Sequence, residues 1–233
     1  MFYPGFFFGW TQIIVLPAII LAIYAQFKVQ GTFRKYSEVR SVGGKTGAEV
    51  ARELLNRNRL HHVKVEETQG VLSDHYDPRT QVIRLSPQVY NSASLAALGV
   101  AAHETGHAIQ HASGYVPLQI RHSLFPVANI GSSAAIPLFF LGFIFSIPFL
   151  LKLGILFFSF AVLFQIITLP VEFNASSRAL ALLGSGRYLS SQEVGGARKV
   201  LNAAALTYVA ATLVAMLELI RLIILSRLGG RNE

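Results

Sequence analysis

Hydrophobic and polar positions fall in blocks along this chain. The first apolar run, Phe6–Phe27, reads FFFGWTQIIVLPAIILAIYAQF. It is long enough to cross a bilayer core of about 30 Å at about 1.5 Å per helical residue. A secretory signal would begin with basic residues and end at a small-residue cleavage site. The opening MFYPGFFFGW holds neither Lys nor Arg, so the run predicts a retained transmembrane helix. From Leu124 to Val171 the chain is almost wholly apolar, too long for one span and suited to a hairpin that turns within Phe145–Gly154. A last apolar run covers Ala203–Leu225. The pattern predicts four spans.

The polar block between the first two runs, about Lys28 to His122, carries shorter periodicities. TGAEVARELLNRN opens with a capping box, Thr46 with Glu49, and places Val50, Leu54 and Leu55 on one stripe, so it predicts an amphipathic helix. HHVKVEE alternates like a strand. VLSDHYDPRTQVIRLS predicts a hairpin turning at Asp77 and Pro78, with Gln81–Leu85 as its second strand. Ser94–Ser113 is helical in pattern, with Gly114 as its C-terminal stop. A shorter polar stretch, Glu172–Lys199, separates the last two apolar runs. The expected fold is an α-helical membrane protein of about four transmembrane helices with a small α+β catalytic unit.

Composition agrees. Of 233 residues, 52% are hydrophobic and 14% charged, against about 25% charged in soluble domains. Net charge is +8, but the basic residues are dispersed, with no basic run interleaved with aromatics, so nucleic acid is not an expected partner. The positive charge fits anionic lipid and topology signals instead. Lys28, Arg34, Lys35 and Arg40 follow the first span, Arg121 precedes the second, and Arg178, Arg187, Arg198 and Lys199 lie between the third and fourth. Such charge favours the cytoplasmic side. Arg227 and Arg231 run against this orientation if the last run spans fully. With no cysteine, thiolate metal ligands and a thiol nucleophile are both excluded.

The chemistry concentrates in VAAHETGHAIQHASG, Val100–Gly114. Positions i and i+4 share a helix face, so His103 and His107 can aim at one metal ion while Glu104 flanks it. Zinc takes such nitrogen and oxygen ligands, and a catalytic site keeps one position for water. Glu104 is the candidate general base. A third protein ligand is required. His111 lies about 12 Å along the helix axis from His103, too far to share the ion. Gln110 and Ser113 occupy the glycine and histidine positions of the metzincin pattern. The aspartates Asp74 and Asp77 both fall in the polar hairpin, unlike those of intramembrane site-2-type proteases. A downstream glutamate remains: Glu172, Glu193, Glu218 or Glu233. Glu172 stands where an apolar span ends, a costly place for an unpartnered carboxylate. Glu193 reads as a solvated helix start, and Glu218 as an i,i+3 partner of Arg221. His75 and Tyr76 are candidate cleft residues, Tyr208 an interfacial anchor, and Gln81–Leu85 the expected open sheet edge for a substrate strand.

The stretches YAQFKV, GKTGAEVAR, LSDHYDP, VIRLSPQVY, AAHETGHAIQ, TLPVEFNASSRA and KVLNAAALTYVAA together resemble the bacterial YugP-type neutral zinc metallopeptidases over nearly the whole chain. The layout is also similar to the HtpX-type and CAAX-prenyl endopeptidase group. There a His-Glu-x-x-His helix precedes a transmembrane hairpin, and a glutamate after the hairpin is the third ligand. The resemblance implies a zincin-like, gluzincin-like unit holding one zinc ion through His103, His107 and Glu172, with Glu104 as base. Ser176 stands where that group has an aspartate supporting a histidine ligand, which leaves Asn174 or Ser176 to do so. The expected product is a multi-pass zinc endopeptidase of a bacterial cell membrane, acting on peptide or protein substrates near the cytoplasmic surface. Its parts are a transmembrane helix over 1–28, a zincin-like segment over 29–122, a transmembrane hairpin over 123–171, a cytoplasmic segment over 172–200, and a last helix and tail over 201–233. The rival readings are a membrane scaffold with structural zinc and a processing protease for lipid-modified tails. A homo-oligomer or a regulatory membrane partner is left open.

Overall fold

A computed structural model describes Gly9 and residues 11–229 of the chain. The start of the first apolar run, and Arg231 and Glu233, lie outside the described residues. The elements are α1 (Gln12–Ser37), α2 (Gly47–Arg57), β1 (Lys64–Glu67), β2 (His75–Asp77), β3 (Val82–Leu85), α3 (Pro87–Tyr90), α4 (Leu95–Ala112), α5 (Val116–Ile144), α6 (Pro148–Ser185) and α7 (Ser191–Gly229). The chain is mostly helical, and α1, α5, α6 and α7 are each long and apolar enough to cross a membrane. It divides into two compact units.

One unit takes Met1–Ala25, Ile120–Leu169 and Thr207–Glu233, the apolar lengths of the four long helices. Helices α5 and α6 turn at residues 145–147, where Ser146 adopts a positive φ of 53°. Gly142 and Gly154 allow the close approach behind this turn: a Cβ at Gly154 would stand 2.8 Å from the Ala135 carbonyl. Phe139, Leu151, Leu222 and Leu225 form a buried cluster. Side chains such as Ile20, Ile130 and Phe149 remain exposed, as lipid-facing positions do. Glu218 pairs with Arg221 at 2.6 Å, the i,i+3 contact read from the sequence.

The other unit takes Gln26–Gln119 and Pro170–Leu206. Its helix ends follow local chemistry. Thr46 and Glu49 close a reciprocal capping box at α2, with Thr46 N–H donating to Glu49 at 2.7 Å. Ser94 caps α4, accepting from the Ala97 N–H at 3.2 Å. Gly114, at φ 63°, stops α4, with Gly114 N–H donating to His111 and Tyr115 N–H to Gln110. Helix α1 runs on to Ser37, beyond its apolar run, because Phe33 and Tyr36 pack into the core of this unit. Helix α7 likewise starts well ahead of its apolar run, burying Ala197, Val200 and Leu201.

The sheet has the order β1-β3-β2. Strand β1 pairs parallel with β3, and β2 pairs antiparallel with it, Tyr76 opposite Ile83. This corrects the expectation that Gln81–Leu85 is an open edge. The strand is central, with both sides paired, and Val82, Ile83 and Leu85 are buried. Arg84, on β3, reaches Glu66 on β1 at 3.7 Å and Asp77 on β2 at 3.4 Å. Asp77 also accepts from Thr80 Oγ1 at 2.7 Å and from the Arg79 N–H at 3.0 Å. The Thr80 hydroxyl first, then the Arg79 amide, hold its carboxyl down at about 2.

Candidate metal centre

Helix α4 carries both histidines of the motif in the middle of a buried, alanine-rich helix. A turn apart on one face, their rings meet edge to face, with Nε2 atoms 3.1 Å apart. Helix α6 supplies the third group. Glu172, only 2% exposed, places Oε2 at 3.3 Å from His103 Nε2 and 3.6 Å from His107 Nε2. Gly106 makes this approach possible, since a Cβ there would stand 2.8 Å from the Ala175 carbonyl. Both Nδ1 atoms face away from the triangle. His103 Nδ1 lies 3.1 Å from Ser176 Oγ, and His107 Nδ1 lies 3.0 Å from Gln110 Oε1.

The three atoms fit a metal ion. Ligand atoms around a tetrahedral zinc at about 2.0–2.1 Å stand about 3.3 Å from one another. The observed edges of 3.1, 3.3 and 3.6 Å straddle that value. Among the described residues, this trio is the group of metal-ligating side chains whose donor atoms converge. Burial opposes protonation of His107, but the Glu172 carboxylate and then the Glu104 charge outweigh it and hold the imidazole above the usual histidine range. The same negative charge that favours a proton here favours a cation.

The other candidates lie elsewhere. Glu193 caps α7, accepting from the Ser190 N–H at 2.8 Å, and its other oxygen accepts from the Val42 N–H at 2.7 Å. Glu218 is the partner of Arg221 described above. His111, one turn beyond His107, meets the Tyr76 hydroxyl at 2.8 Å through its Nδ1. Burial, with Asp77 adding to it, pushes the Tyr76 phenol up to about 12. His75 is exposed and contacts the Ser73 carbonyl. Gln110 went unremarked in the sequence except as a departure from the metzincin pattern. Its signal was helical spacing, three residues past His107 on the same face.

A family model described as "Putative neutral zinc metallopeptidase" matches residues 11–227. The chain is 50% identical over 220 residues to the "Putative membrane protease YugP" of Bacillus subtilis (strain 168), covering 94% of this chain and 97% of that protein. No solved structure matches the chain. With a donor triangle sized for zinc and a match running through nearly every described element, the chain belongs to the neutral zinc metallopeptidase family.

Proposed function

We propose that this protein is a membrane endopeptidase that holds one zinc ion through His103, His107 and Glu172 and hydrolyses peptide bonds near the membrane surface. The observation that carries the reading is the triangle of donor atoms, 3.1–3.6 Å on a side, next to Glu104. A zinc ion bound there would lower the pKa of a coordinated water to about 7 and polarise the substrate carbonyl. Glu104, 8% exposed and adjacent to His103 on α4, takes the proton of the attacking water and passes it to the leaving amine. Ser176 and Gln110 hold the two imidazoles by their outer nitrogens. A helix bearing the motif beside a small sheet with an antiparallel edge supports a zincin-like, gluzincin-like unit. The open edge beside the active helix is then β2, which Tyr76 ties to α4 through His111, and a substrate strand adds there. The dispersed basic residues support placing this unit in the cytoplasm, on the inner face of the cell membrane.

The test is Glu104→Gln. Zinc content should stay at the wild-type level while peptide-bond hydrolysis falls by about 10²–10⁴-fold, the usual contribution of a general base. Both are measured on one preparation, with a chelator-treated wild type alongside. Near-normal turnover in the variant ends the reading.

A further inference from the structure

The two histidines are held by partners of different kinds, and the difference has a consequence for which nitrogen carries a proton. Gln110 is fully buried. Its Nε2 lies 2.8 Å from the Val171 carbonyl and 3.0 Å from Asn174 Oδ1. A backbone carbonyl only accepts, so the amide is oriented with its NH₂ toward α6 and its Oε1 toward His107. A second constraint agrees. Arg178 Nε lies 2.7 Å from Asn174 Oδ1 and can only donate, so that atom of Asn174 is the acceptor for Gln110 as well. Arg178 and Gln110 thus both donate to Asn174 Oδ1, and the direction of each bond is fixed. Gln110 Oε1 then demands a donor, and His107 Nδ1 must carry hydrogen. His103 has no such constraint, because the Ser176 hydroxyl can donate or accept.

We infer that Gln110 is a positioning residue for the metal centre: with Asn174 and Arg178 behind it, it locks His107 in the Nδ1–H form and leaves Nε2 bare for the ion. The inference rests on the proposed zinc site and deepens it. The same amide bonds the carbonyl of Val171, the residue before Glu172. One side chain thus ties the second histidine to the backbone beside the third ligand, and fixes their separation as well as the ring's tautomer. All groups in the relay except Arg178 are neutral, so direction here comes from donor and acceptor geometry rather than from a carboxylate.

The experiment measures zinc affinity by chelator competition in the full-length, detergent-purified protein. Gln110→Met and Asn174→Leu should each weaken zinc by about 10–100-fold, the effect of removing an outer-shell partner. Asn174→Asp, which keeps the acceptor for both Gln110 and Arg178, should stay close to wild type. In the zinc-loaded, ¹⁵N-histidine-labelled protein, the His107 ring N–H should exchange slowly in wild type and Asn174→Asp and quickly in Gln110→Met. A merely structural role would leave the His107 ring N–H in Gln110→Met exchanging as slowly as in wild type. Wild-type affinity in Gln110→Met, or equal losses in Asn174→Asp and Asn174→Leu, overturns the inference. If Gln110→Met fails to fold, the two Asn174 variants decide. Absence of zinc binding by the wild type, or its retention in His107→Ala, would instead sink the zinc site itself.

Discussion

At the scale of single residues, Glu172 is the position on which the centre turns. It is the carboxylate that the fold brings to both imidazoles, whereas Glu193 caps a helix and Glu218 pairs with Arg221. Glu172→Ala should therefore lose zinc while Glu193→Ala and Glu218→Ala keep it, as read by metal analysis after gel filtration. Zinc retained at wild-type affinity in Glu172→Ala would remove α6 from the site. The convergence of the histidine pair was legible in the sequence because helical spacing alone puts i and i+4 on one face, with Glu104 flanking them. Glu172 needed the resemblance to be chosen among four glutamates, since no local pattern says which carboxylate a distant helix presents. Ser176 was one of two named supports for a histidine, and it reaches His103. The other, Asn174, reaches His107 only through Gln110, a residue whose role depends on a carbonyl 61 positions away in the chain.

At the scale of elements, the contact between α4 and α6 depends on Gly106, and the hairpin on Asp77. Gly106→Ala places a methyl where the Ala175 backbone stands, so the helices must separate by tenths of an ångström or more. Overpacking of this kind costs about 1–3 kcal/mol. The expected result is a lower unfolding midpoint together with weakened zinc binding. Unchanged values for both would mean that α6 yields freely. Asp77 gives a pH dependence. Its folded pKa of about 2 lies below the ordinary aspartate value of about 3.9, so its contribution is present above about pH 4 and is lost as pH falls through 2. Asp77→Asn should remove that part of the acid lability, seen as a smaller drop in denaturant midpoint between pH 4.5 and pH 2.5 than in wild type. Equal drops in the two proteins would exclude Asp77 as the cause. The capped helices and the hairpin were readable because caps and turns are local chemistry. The central place of β3 was not: its parallel pairing with β1 reaches across the whole of β2, and strand periodicity carries no information about which neighbour pairs on the far side.

At the scale of the whole molecule, four apolar runs announced four long helices, but not that these helices outrun their apolar stretches. Beyond the runs, α1 and α7 bury amphipathic faces such as Phe33 and Val200 in the polar unit, a signal much weaker than hydropathy. The proposed orientation is tested with single cysteines, and the chain has none to remove first. A cysteine at Ser73 should resist an impermeant thiol reagent in intact cells, and one at Ser146, in the turn before α6, should react. The reverse pattern would put the metal centre outside. Helix α6 runs from Pro148 to Ser185, so Glu172 follows an apolar stretch of the same helix longer than the about 20 residues needed to cross a hydrocarbon core. The residue that completes the donor triangle thus belongs to the same helix as an apolar span. A fragment trimmed to residues 29–122 keeps His103, Glu104 and His107 but leaves Glu172 behind. On the proposed zinc site, such a fragment should bind zinc weakly and be inactive; a fragment with wild-type zinc affinity would remove Glu172 from the site.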